Sequence, residues 1–422
     1  MLFGRRCAKK EVIAVAGAGK KFDPIRCAAF FLPPLLLLLN QYIYQDVSSL
    51  YPDAQLYLSI ADNFLSTGHF IQTERAVEIV VPFAYPLCLT LLRAVKLPVF
   101  GFFILNLLSV GVSSVFLYDT ERELFGRGGF SCAVYTAVLT RADLPPFNLF
   151  VEYLFLFLLC WLVRVTFRKD LPLRRRIVLM NVSGFLAFAS RPVLAPVYAA
   201  VLAYSLYACV KHRPELRRLR SLAAGIVLIP LAIFGINTAV NYRETGEIIP
   251  ISNYGSESVC FALNPNSTVF TSENSYTLED TTPEVRAVHD NNELSLTEKG
   301  REYKALLKEY LLHDTGHIIS IMAQRGRRLF FRFTRGLTVL SLIGAVWMAL
   351  REPKGERRLL MLLGLLSAVT VAVLTSAGIY EPRYILPIWP IAAVHTAALP
   401  NYILDDLRRR RACKGSASAP QQ

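Results

Sequence analysis

No pair or quartet of cysteines in this chain has the spacing of a metal site. The eight cysteines are scattered, mostly in or beside apolar runs, and only Cys260 falls in the long polar stretch of the second half. That stretch is therefore expected to hold no internal disulfide. The N-terminus lacks the marks of a cleaved signal: Arg5, Arg6, Lys9, Lys10, Lys20, Lys21 and Arg26 precede the first apolar run, and no small-residue cleavage site follows it. Acid is also in short supply, with 32 Asp and Glu against 46 Lys and Arg and a net charge of +14. Such an excess could suit nucleic acid, but the basic residues cluster beside apolar runs, as they do in cytoplasmic loops of membrane proteins. No nucleic-acid partner is expected.

What the chain has in quantity is apolar length. Of its 422 residues 53% are hydrophobic, with 26 Phe and 19 Tyr. The apolar runs repeat near the length needed to cross a bilayer, about 20 residues each. The fold class expected is an all-α polytopic membrane protein of about ten transmembrane helices, with juxtamembrane helices and one large extracytoplasmic loop. Residues 1–27 form a basic cytoplasmic N-terminus, 28–404 the transmembrane domain, and 405–422 a basic cytoplasmic tail read as disordered.

Within that domain the first span covers 28–45, and 46–99 leaves it as a first outer loop with juxtamembrane helices. The run 82–97, interrupted by Arg93 and Lys96, is read as a half-buried helix, because a full crossing there would put later loops on the wrong sides. Further spans are expected at 100–119 and 130–146, joined by the charged turn Glu121–Arg127, then at 147–166, 177–190, 193–210 and 221–240. The segment 241–328 is the large outer loop, with thirteen acids and seven bases between Arg243 and Arg325. In it Ser295-Leu296-Thr297-Glu298 reads as a capping box opening a helix with an apolar stripe of Tyr303, Leu306, Leu307, Tyr310 and Leu311. Spans at 329–350, 359–379 and 384–404 complete the chain.

The stretch Tyr51–Phe70 follows the first span. Pro52 suits the first helical position and Gly68 the residue just past the end. Tyr57, Ile60, Ala61, Phe64 and Leu65 recur at helical spacing, so a short amphipathic helix on the membrane surface is expected, with Asp53 in its first turn. Asp53 there is either an acid stabilised by the helix dipole or a general base beside the membrane.

The topology places Asp53, Glu74, Arg75, Glu78, Arg141, Asp143, Arg191, Arg243, Glu381 and Arg383 near the outer ends of spans, with Glu152 about one turn deep. Ionisable groups at that depth are costly and usually line a cavity. Each has a plainer reading: Glu152 in a structural ion pair with an arginine, Arg191 snorkelling to the headgroups, Arg383 paired with Glu381, Arg243 beside Tyr242 as an interfacial anchor. Carboxylates with two or three arginines at a membrane edge also suit an anionic lipid phosphate and a hydroxyl acceptor, since arginine's planar fork matches phosphate oxygens. The chemistry that fits is glycosyl transfer from a lipid-linked sugar, a carboxylate taking the acceptor proton and arginines stabilising the departing phosphate.

The residues around Asp53, with Ile60-Ala61-Asp62-Asn63 and Thr67-Gly68-His69-Phe70, resemble the first outer loop of GT-C glycosyltransferases. The similarity is to the bacterial branch of the dolichyl-phosphate-mannose protein mannosyltransferase family (glycosyltransferase family 39-like). Other stretches agree in order: Pro82–Pro86, Glu152, Ser190-Arg191-Pro192, Asn241–Ser252 with Asn264-Pro265, and Glu381–Pro387. Three differ in detail: Phe83-Ala84 stands in place of a glycine-containing step, Val151 precedes the acid in place of serine, and Pro52-Asp53-Ala54 carries one acid where many members carry two.

The resemblance implies an inverting single displacement with a polyprenyl-phosphate sugar as donor and a lipid, glycan or protein hydroxyl as acceptor. Asp53 is the catalytic base by position, and Glu152 a second acid that orients acceptor or sugar. Arg191, Arg243 and Arg383 are the donor-phosphate candidates, and Tyr57, Glu78 and Tyr384 the substrate-binding ones. No ligand cluster demands a metal, although carboxylates with a phosphate can hold a divalent cation. The expected home is a bacterial inner membrane, the site facing outside. A transporter or flippase of a lipid-linked glycan, or a non-catalytic assembly partner with the same fold, are the alternatives; transport predicts polar residues near mid-bilayer, and here they collect at the ends.

Overall fold

The computed structural model describes residues 22–44, 52–70, 80–142, 144–149, 151–211, 219–253, 255–268, 281–351, 356–378 and 382–417. Among them the chain is all-α, with sixteen α-helices and no strand. The helix α1 (Pro24–Tyr44) precedes two short ones, α2 (Pro52–Thr67) and α3 (Ala84–Ala94). The central bundle follows: α4 (Val99–Phe125), α5 (Phe130–Leu139), α6 (Val151–Phe167), α7 (Leu173–Ser190), α8 (Ala195–Lys211) and α9 (Leu219–Thr245). Four helices fill the region expected as the large loop: α10 (Ser256–Leu263), α11 (Pro283–Asp290), α12 (Leu296–His313) and α13 (Thr315–Gly326). The chain closes with α14 (Leu337–Arg351), α15 (Glu356–Ala377) and α16 (Trp389–Ala417).

The axis of the bundle is α6, which packs on α4, α7 and α16. It is apolar all round and almost wholly buried, as a helix without a polar face must be. Its 17 residues carry Glu152 in the first turn and Arg164 in the last, so the two positions lie about 18 Å apart along the axis, near opposite ends.

Among the described residues four helices are long and apolar enough to cross a membrane: Phe100–Phe125, Pro192–Lys211, Ala224–Thr245 and Arg358–Ala377. The bent pair Thr315–Phe333 and Leu337–Arg351 makes a fifth if taken as one span. The apolar helices Pro24–Asn40, Ala84–Ala94 and Phe130–Leu139 are shorter. Ala84–Ala94 matches the expectation that 82–97 is a partial helix. The run 130–146 yields only ten helical residues before the chain turns at Thr140.

Three other expectations are corrected. The segment 329–350 is no single straight span: α13 continues as a π-helical turn (Arg327–Phe333), then Arg335 (φ +49°) and Gly336 (φ +84°) break it, and α14 leaves at 90°. Two successive left-handed residues cannot continue a right-handed helix. The tail is helical through Arg408–Arg411 to Ala417. Its charged part is held by Asp405 pairing with Arg127, and by Asp406 pairing with Arg351 at 2.8 Å.

The charged stretch read as a turn at Glu121 is instead the end of α4. Helix continues to Phe125, and Gly126 (φ +76°) caps it. Glu121 is fully buried and accepts four hydrogen bonds: from the backbone N–H of Gly129 (2.9 Å) and Ser131 (2.9 Å), from Ser131 Oγ (2.8 Å) and from Asn401 Nδ2 (2.7 Å). One carboxylate thus ties α4, α5 and α16. Arg26–Asp119, Arg122–Asp23 and Arg164–Glu123 surround it with ion pairs at the same end.

The capping box is present, with Ser295 Oγ accepting from Glu298 N–H (3.2 Å) and the Glu298 carboxylate accepting from Ser295 N–H (2.8 Å). The stripe of α12 docks within the protein: Tyr303 and Tyr310 are buried with Phe261, Val285 and Ile318, and Leu306 and Leu307 pack beside them. Glu121→Ala would leave buried donors without an acceptor, at a cost of roughly 3 kcal/mol. A clearly lowered unfolding midpoint in detergent is expected, and an unchanged one would show that the network does not hold the three helices together.

Candidate functional site

The helix α2 starts where Pro52 permits, which puts Asp53 in its first turn, and Gly68 (φ +80°) ends it. The Asp53 carboxylate meets Arg383, Oδ2 to Nη2 3.2 Å, with side-chain exposures of 42% and 13%. Arg383 belongs to the 3-10 segment Pro382–Ile388 ahead of α16. Its partner is Asp53; Glu381 lies outside the described residues.

A second pair lies beside the first. Glu152, only 1% exposed, is ion-paired with Arg191. Arg191 stands where the chain is extended (φ −148°, ψ 107°) between α7 and a 3-10 turn begun by Pro192. The proline cannot donate to the helix before it, so the break is built into the sequence. The Arg191 guanidinium lies over the Tyr384 ring at 4.8 Å and the Phe155 ring at 5.5 Å, and Arg383 lies over Tyr384 at 5.6 Å. Cation–π contact with one tyrosine thus links the two pairs. Tyr57 meets Tyr85 edge to face at 5.0 Å. Burial, with the Asp53 charge adding to it, raises the Tyr57 pKa well above that of a free phenol, so Tyr57 stays a neutral hydroxyl.

These side chains line one cleft of about 440 Å³. It receives Asp53 and Tyr57 from α2, Glu152 from α6, Arg191 from the α7–α8 break, and Arg383 and Tyr384 from the segment before α16. Six of the eight residues singled out in the sequence therefore meet, from positions more than 300 apart in the chain. Of the other two, Arg243 does not join them. Arg243 lies in the last turn of α9, largely exposed, with its guanidinium on the neighbouring Glu244 (2.7 Å), which also pairs with His69. Glu78 lies outside the described residues, as do Glu74, Arg75 and Asp143. Arg141 donates to the Phe333 carbonyl (3.2 Å).

The sequence reasoning did not single out Ser252 and Ser258, which also line the cleft. The segment carrying Ser252 is pinned over it: Ser252 Oγ donates to Val80 O (2.8 Å), and Val80 N–H donates to Asn253 Oδ1 (2.9 Å). The only sequence signal was their position in or soon after the Asn241–Ser252 motif, because an uncharged serine announces nothing by itself.

The cleft offers two carboxylates, two guanidinium groups and two phenols, all at one end of the bundle. Such a set can bind an anion and accept a proton from a neutral nucleophile. Among the described residues no three His, Cys, Asp or Glu side chains cluster as metal ligands would. Comparison with protein families, with curated sequences and with solved structures finds no match.

The two pairs differ in environment, and their energetics should differ accordingly. Arg191→Gln leaves the Glu152 carboxylate buried without its cation and is expected to cost about 3–5 kcal/mol, with the added change Glu152→Gln recovering much of it. The half-exposed pair should couple by no more than about 1 kcal/mol when Asp53→Asn and Arg383→Gln are combined. Double-mutant cycles on unfolding in detergent measure both; additive effects at Arg191 and Glu152 would contradict the pairing.

Proposed function

We propose that the cleft transfers a sugar from a polyprenyl-phosphate donor to a hydroxyl acceptor, with inversion at the anomeric carbon. The observation that carries this reading is the meeting of Asp53–Arg383 and Glu152–Arg191 around Tyr384 in one cleft. The protein is then a GT-C-like bundle of about ten crossings in a bacterial inner membrane, its cleft open to the outside and its donor's prenyl tail in the bilayer.

On this reading the donor phosphate takes up the Arg191 and Arg383 guanidinium groups. Phosphate drawing on Arg383 releases Asp53 from its ion pair. The Asp53 carboxylate accepts the acceptor's hydroxyl proton as that oxygen attacks the anomeric carbon. The new C–O bond forms as the bond from the anomeric carbon to the phosphate oxygen breaks, and its electron pair leaves with the polyprenyl phosphate. The two arginines stabilise the charge gained there. Glu152 holds Arg191 in place and can orient a sugar hydroxyl, while the Tyr57 and Tyr384 rings offer apolar faces to the sugar. A flippase reading is less well supported, because the charges sit at a helix end and a pathway needs them in the middle.

The test is transfer of labelled sugar from a panel of polyprenyl-phosphate donors in membranes. Wild type should transfer from at least one donor, and Asp53→Asn should lower the rate by a factor of roughly 10²–10⁴ while expression is kept. Transfer that survives the substitution would remove Asp53 as base. No transfer from any donor by wild type would favour transport.

A further inference from the structure

A second cavity, of about 490 Å³, lies on the flank of the bundle and shares no lining residue with the cleft. Its walls come from α13 and its π-helical continuation, from α14 and α15, and from the segment that opens α16. The 90° bend creates it. It carries α13 across the top and sends α14 down beside α16, where the two helices touch backbone to backbone: a Cβ added at Gly344 would lie 1.9 Å from the His395 carbonyl oxygen. With α14 held that close to α16, the space is left on the α15 side.

Two features of this cavity point to one kind of occupant. The rim is exposed and apolar, with Ile319, Phe331, Leu342, Val369 and Val373 all 40–60% exposed, so entry is from an apolar phase. At the top, under the bend, stands Arg327, exposed and in no ion pair among the described residues, with Arg332 and Arg335 exposed on the same elbow.

We propose that this cavity binds a membrane phospholipid with an anionic headgroup. An acyl chain enters between α14 and α15, and the phosphate meets Arg327 at the elbow. The two features supply the two parts of this lipid: the apolar rim meets the acyl chain, and the cation meets the phosphate. The assignment is independent of what the cleft does, since no residue is shared.

Binding of phosphatidylglycerol and of phosphatidylcholine with the same acyl chains, followed by native mass spectrometry of the full chain in detergent, tests it. Wild type should retain phosphatidylglycerol about tenfold better than phosphatidylcholine. Arg327→Gln, a change at an exposed side chain that leaves the fold in place, should bring phosphatidylglycerol down to the phosphatidylcholine level. Equal retention of the two lipids by wild type, or a preference unchanged in Arg327→Gln, would overturn the proposal. So would displacement of phosphatidylglycerol by a lower concentration of a polyprenyl monophosphate, which would assign the cavity to a prenyl lipid.

Discussion

A carboxylate as deeply buried as Glu152 is costly without a cation in contact, and much of the cleft's geometry follows from that need. The cation, Arg191, is available because Ser190-Arg191-Pro192 interrupts two apolar helices at that level. The contact therefore fixes the α7–α8 break against the first turn of α6. Tyr384 lies under the same guanidinium and draws in the segment before α16, and Arg383, next along the chain, reaches Asp53. Four elements are brought to one point by charges that would be costly anywhere else in an apolar bundle.

The opposite end handles charge differently. There Glu121 is closed off by four donors, and the surrounding arginines are matched one to one with Asp23, Asp119, Glu123, Asp405 and Asp406. Those groups lock helix ends together. At the cleft end the ion pairs border a cavity, and Asp53 is the more exposed of the two carboxylates. A group meant to exchange its partner needs such a place; one meant to fix an element, such as Glu152, needs the core.

How much of this was legible in the sequence varied with how local the cause was. Pro52 and Gly68 bounded α2 because each acts on its own backbone, and the same holds for Ser295 with Glu298 and for the break at Pro192. That six of the candidate residues meet could be suspected from the topology and the ordered motifs, but the pairings could not. Arg383 might have served Glu381 as well as Asp53, and only packing decides. The 90° bend was hidden because Arg335-Gly336 sits in a run whose hydropathy reads as one span. Glu121 looked like part of a charged turn, since its four donors come from Gly129, Ser131 and Asn401, the last of them nearly 300 residues away. The cavity under the bend was not readable at all, being a space left by four helices.

The account stands on the claim that Arg191 and Arg383 are there to hold a lipid phosphate. The most direct measurement is equilibrium binding of a short-chain polyprenyl monophosphate to the purified protein, against the uncharged polyprenol, in wild type and in Arg191→Gln/Arg383→Gln. Wild type is predicted to bind the phosphate at least tenfold more tightly than the alcohol, and the double variant to lose that preference while still binding phosphatidylglycerol. Equal affinity for alcohol and phosphate in wild type, or a preference that persists in the variant, would contradict it.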